Sequence, residues 1–153
     1  MVLFVQKRKE SRLEVLVHAN VLHDMLLELM QRNFGVKSVD RLVRRKYLFS
    51  KEQCEQRAYF RTVMNQSKMR VDHLCRLLIE NIRAANTIYP ISAAEFESRR
   101  AYQNDALVNC EQIKCELQRI VDIFDVDVNL YARYIEALNR EIRLIKSWRQ
   151  KIK

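Results

Sequence analysis

Glycine and proline are almost missing from this chain of 153 residues, which holds one of each, Gly35 and Pro90. A sheet protein of this length needs many turn residues, so their scarcity excludes a strand-rich fold and leaves helix. No apolar run approaches the roughly 20 residues that a membrane-spanning helix requires. The opening "MVLFVQKRKE" puts apolar residues ahead of basic ones, the reverse of a secretory signal's order, so the expectation is a cytoplasmic protein with no membrane partner. A single glycine also excludes Gly-rich phosphate loops, and the sequence has no G-x-S-x-G, no H-E-x-x-H and no pair of Glu-x-x-His motifs. Cys54, Cys75, Cys110 and Cys115 show no C-x-x-C spacing. Cys75 and Cys110 fall on apolar helical positions and read as buried free thiols in a reducing compartment. His18 and His23 lie five apart and project from different faces of one helix, so neither a metal nor any other cofactor is expected.

What the chain has is helical periodicity. With 48% hydrophobic and 31% charged residues it reads as one globular domain over 1–153. Ser11 and Glu14 form an S-x-x-E capping box that opens a helix over about 11–33, with Val15, Ala19, Leu22, Leu26 and Leu29 on one face. Val21, Met25 and Leu27 widen that face, and Gly35 supplies the left-handed cap that ends it. Residues 36–56 read as a partly helical connection. A second helix spans about 57–87, with Phe60, Val63, Met64, Ser67, Val71, Leu74, Cys75, Leu78, Ile82 and Ala85 in line, and Pro90 stops its continuation. Ser92 and Glu95 open a third helix over 92–124, whose inner line is Tyr102, Ala106, Cys110, Ile113, Leu117, Ile120 and Phe124. The fourth, over 128–152, is capped by Asp127 or Asn129 and aligns Tyr131, Ile135, Leu138, Ile142, Ile145 and Ile152. Four long helices with short connections predict an all-α, up-and-down four-helix bundle.

The net charge is +9, and it is uneven: residues 1–49 carry +5, 50–90 carry +3, 91–128 carry −4 and 129–153 carry +5. On the second helix Arg61, Lys68, Arg76 and Arg83 fall seven or eight apart and so share a face away from the apolar line. On the fourth, Arg140, Arg143, Lys146, Arg149 and Lys153 track another face. Asp72 and Glu80 stand beside the first stripe. Any one such stripe is most often a solvated helix face. Together the stripes predict a surface for the phosphates of RNA or DNA, largely indifferent to base sequence. In the closing "IKSWRQKIK", Trp148 stands beside the Ile145 and Ile152 stripe and reads as a packing anchor, while Lys146, Arg149, Lys151 and Lys153 point outward.

The stretches "YPISAAEFESRRAYQNDALVNCEQIKCELQRI" and "YARYIEALNREIRLIKSWRQ" carry a resemblance. The features are an Arg-Arg-x-x-Q run (Arg99, Arg100, Gln103), Ala106 and Cys110 further along that helix, and a final Ile-Lys-x-Trp-Arg turn (Ile145, Lys146, Trp148, Arg149). With "LEVLVHANVLHDML" and "NTIYP", they resemble the bacterial four-helix-bundle proteins related to the accessory variability determinant (Avd) of diversity-generating retroelements, and their relatives encoded within 23S ribosomal RNA genes. Residues 36–56 depart from the shorter members, which turn directly from the first helix into the second. The resemblance implies a non-enzymatic protein that assembles as a homopentameric barrel. It also implies association with the retroelement reverse transcriptase and with nucleic acid, in support of mutagenic cDNA synthesis. Arg99 and Arg100 would then serve subunit contacts or helix-start geometry, alongside Trp148.

Two alternatives stand beside that reading. One is a protein-interaction scaffold whose positive charge meets an acidic partner without nucleic acid. The other is a helical ribonuclease of the HEPN kind, in which Arg12 and His18 would supply an R-x(4–6)-H pair.

Overall fold

In the computed structural model the described residues are 13–36 and 51–151. Among them are four α-helices, two short 3-10 turns and no strand: α1 (Glu14–Gln31), α2 (Lys51–Thr87), α3 (Ala93–Ile123) and α4 (Ala132–Gln150). α1 begins from Leu13 without a side-chain cap, rather than from Ser11, which with Arg12 lies outside the described residues. Among the described residues α2 already runs from Lys51, so 51–56 are helical where a partly helical connection was expected. "KEQCEQRA" contains no glycine, proline or β-branched residue, so nothing in it interrupts the helix. The remainder of that connection, 37–50, lies outside the described residues, as does Ile152. α3 opens as the sequence predicts: Glu95 N–H donates to Ser92 Oγ at 3.2 Å, and the Ser92 hydroxyl donates to the Glu95 carboxylate at 3.0 Å. Before α4, Asp127 caps a 3-10 turn over Val128–Tyr131, its side chain accepting from Asn129 N–H at 3.0 Å.

α1 ends in three successive left-handed residues, Asn33 (φ 50°), Phe34 (φ 56°) and Gly35 (φ 76°). Only glycine adopts that conformation without a steric cost, so its neighbours must be held there. Phe34 is fully buried, its carbonyl accepts the Tyr131 hydroxyl, and Asn33 accepts from Lys68 Nζ. A Cβ on Gly35 would come within 3.2 Å of Leu130.

α1 packs against α2 and α4, and α3 against the same two, which places α2 and α4 diagonally across a common core. Leu22, Leu26, Leu74, Leu78, Ile82, Ile113, Leu117, Ile120, Leu138 and Ile145 are among its fully buried side chains. Each such side chain contributes on the order of 2 kcal/mol by leaving water. The inner faces follow the apolar lines in the sequence with three corrections. Tyr102 is 38% exposed and Gln103 takes the inward place on α3, a polar group that hydropathy would not choose. Val21 and Leu27 are exposed, away from the Val15–Leu29 line along which α1 meets α2 and α4. Cys75 and Cys110 are buried free thiols, with burial pushing Cys75 up to about 12 and Cys110 upward as well.

Candidate nucleic-acid interface

The diagonal placement of α2 and α4 separates the two basic stripes. Charge alternates around the core: α2 and α4 each carry +3, while α1 carries −3 and α3 carries −2. Cationic ridges therefore face opposite sides, with acidic helices between them. Together the four helices carry only +1 of the chain's +9.

Within the α2 stripe, Arg61 and Arg83 are exposed and make no hydrogen bond or ion pair among the described residues. Lys68 is half-buried and donates to Asn33, so it closes the α1 turn. Arg76 donates from Nε to Asp72 at 3.0 Å, and Asp72 also holds His23 of α1 at 2.8 Å. These contacts, the His23 bond foremost, keep the Asp72 carboxyl below the usual carboxylate range.

The α4 stripe divides in the same way. Arg143 and Lys146 are exposed and unpaired among the described residues. Arg140 lies 3.5 Å from Glu14 of α1, and Arg149 Nη1 donates to Asn104 of α3 at 2.7 Å. Lys153 lies outside the described residues, while Lys151 is exposed. Of the eight stripe cations within the described residues, Arg61, Arg83, Arg143 and Lys146 are thus unengaged, Lys68, Arg140 and Arg149 reach another element, and Arg76 pairs with Asp72 within α2.

Arg99, Arg100 and Trp148 come together at one end of the core. Trp148 is buried, the Arg99 guanidinium lies 5.2 Å from its ring centroid, and Arg99 Nη1 donates to the Ile88 carbonyl beyond the end of α2 at 3.2 Å. Arg100 is exposed.

His18, the base required by the ribonuclease alternative, has a side chain only 10% exposed, with Nδ1 2.6 Å from the fully buried Glu141 carboxyl. Burial pushes Glu141 up to about 8. Desolvation, then the charge of Arg140, lowers His18. Both shifts favour the neutral pair, in which the Glu141 hydroxyl donates to Nδ1. Its pairing partner in that alternative, Arg12, lies outside the described residues.

Two features had weaker signals in the sequence. An open groove of about 440 Å³, lined by Leu107, Val108, Glu111, Ile142 and Lys146 among others, follows α3; no motif marks it. The sequence also places Lys37, Arg41, Arg44, Arg45 and Lys46 within ten residues, with Asp40 the one acid among them. A count by segment registers that cluster, whereas a search for helical stripes passes over it.

No helix among the described residues is long and apolar enough to cross a membrane, and no group of three or more His, Cys, Asp or Glu among them is placed to hold a metal ion. Comparison with protein-family models, curated proteins and solved structures finds no match.

Proposed function

We propose that this protein is a non-enzymatic, cytoplasmic accessory protein of the Avd kind: an up-and-down four-helix bundle, assembled as a homopentamer, that binds RNA or DNA and docks a retroelement reverse transcriptase. The observation that supports nucleic-acid binding is that Arg61, Arg83, Arg143 and Lys146, on α2 and α4, are exposed and unpaired among the described residues. Their two ridges lie on opposite sides of a subunit, so one chain offers each nucleic-acid strand only a few phosphate contacts. A ring of copies repeats each ridge, and weak contacts add by multivalency. The segment from Lys37 to Lys46, with a net charge of +4, carries half of the charge the helices lack and belongs to the same reading. Phosphates carry no sequence information, so binding is largely sequence-independent.

A protein-interaction scaffold is the second reading, and the α3 groove favours it, because Leu107, Val108 and Ile142 offer apolar area beside charge. One experiment separates the two. Fluorescence anisotropy with a labelled single-stranded RNA, at low and at physiological salt, shows tight, strongly salt-dependent binding for the accessory protein. The scaffold shows none at either salt.

A further inference from the structure

At the Arg99–Trp148 end of the core, three buried nitrogen atoms have no hydrogen-bond partner: Arg99 Nε, Gln103 Nε2 and Arg149 Nε. All three are donors. Gln103 is 3% exposed, so water does not readily satisfy it from outside. The three residues line one cavity of about 90 Å³, together with Phe96, Glu97 and Arg100. A buried donor left unpaired costs about 1–3 kcal/mol, and more when the group is charged. A cluster of three, two of them on guanidinium groups, calls for an acceptor.

Other contacts hold two of these three side chains in place. Arg99 is held by the Ile88 carbonyl and by the Trp148 ring beneath it, and Arg149 by Asn104. Each guanidinium is anchored through other atoms, and its Nε is buried without a partner in a residue that lines the cavity. Three guanidinium groups face one carboxylate, Glu97, which is exposed. Burial lowers Arg99's hold on its proton, the mark of a cation with no anion beside it.

We infer that this cavity is a phosphate-binding pocket, in which Arg99, Gln103 and Arg149 donate to the oxygens of one phosphate group and Arg100 faces it from the exposed side. Three donors alone would not exclude a carboxylate, whose two oxygens have about four lone-pair sites, but three guanidinium groups around one cavity favour phosphate, which carries more charge and directs its oxygens tetrahedrally toward several residues. Guanidinium groups also match phosphate in both charge and geometry. At about 30 Å³ for each water, the cavity holds a few waters or one tetrahedral oxyanion. The phosphate is either free or the terminal group of a nucleic acid. The pocket itself does not depend on the nucleic-acid reading.

The test uses the whole chain and inorganic phosphate. The Nε–H signals of Arg99 and Arg149 are followed by 15N NMR as phosphate replaces chloride at constant ionic strength and pH. Both signals are expected to shift together and saturate. Gln103→Leu and Arg149→Gln should each weaken phosphate binding at least about tenfold, with helical circular dichroism unchanged. A drift that never saturates in the wild-type protein overturns the pocket, whether or not the variants fold. A competition arm then assigns the source. Stronger displacement of phosphate by a 5′-phosphorylated oligonucleotide than by its 5′-hydroxyl twin supports a nucleic-acid terminus, and equal displacement or none supports free phosphate. Loss of RNA binding elsewhere on the surface would leave the phosphate result unchanged, so the two readings fail separately.

Discussion

Arg99 and Trp148, 49 residues apart in sequence, stack within a single chain, the guanidinium 5.2 Å from the ring centroid. The stack joins the first turns of α3 to the last turn of α4, and the Arg99 bond to Ile88 adds the end of α2. Two cations near a helix start oppose the helix dipole, and the aromatic face and the carbonyl offset that cost for Arg99.

Arg99→Lys keeps the charge but loses the planar stack and its directional bond, and should lower stability by about 1 kcal/mol. Trp148→Ala should cost about 3–5 kcal/mol. Thermal melts read both effects. Light scattering on Arg99→Lys should show an unchanged mass, since the contact lies inside one subunit.

Glu141 and His18 make stability depend on pH in opposite senses. The Glu141 carboxyl is raised to about 8 in the folded protein, so the folded state holds its proton more tightly. Its contribution is complete below the unfolded value and is lost as pH rises through about 8. His18 is lowered from 6.5, so its contribution is lost as pH falls through its folded value, and it is settled above 7. Between pH 7 and 8 Glu141 acts alone and should remove about 1 kcal/mol. Denaturant melts of Glu141→Gln across that interval should be flat where the wild type declines.

The left-handed turn after α1 depends on Tyr131. Tyr131→Phe leaves the buried Phe34 carbonyl without a donor and should cost about 1–3 kcal/mol. Gly35→Ala should cost about 1 kcal/mol, because its φ of 76° disfavours a Cβ and Leu130 crowds it. Chemical denaturation of both variants checks the pair of values.

The engaged and unengaged cations should behave differently toward RNA. Arg61→Glu, Arg83→Glu and Arg143→Glu together remove three candidate phosphate contacts. They should flatten the salt dependence of RNA binding by about 2 in log–log slope, at about 0.7 per contact. Arg76→Glu should act mainly on stability, since it places a second carboxyl group beside Asp72 in the Asp72–His23 contact. Anisotropy titrations at several salt concentrations, beside melts, separate the two effects.

Much of this architecture is written in local signals. Ser92 and Glu95 set the start of α3, Pro90 lies beyond the end of α2, and one apolar residue every third or fourth position draws the core line of each helix. The site was harder to read, because a stripe of cations looks the same in sequence whether its members face water or a neighbour. Lys68 and Arg76 share a stripe with Arg61 and Arg83; Arg76 pairs with Asp72 on its own helix, but only the fold shows that Lys68 is engaged, by Asn33 after α1. Gln103 is the clearest example of what periodicity misses. Hydropathy assigns the inward place to Tyr102, and a buried amide becomes visible only when the cavity beside it is seen.

The most direct test of the central claim is size-exclusion chromatography with light scattering, run with and without a structured RNA at low and physiological salt. The expected result is a mass near five subunits of 18.4 kDa that takes up RNA at low salt and releases it as salt rises. A monomer that ignores RNA at both salts would contradict it.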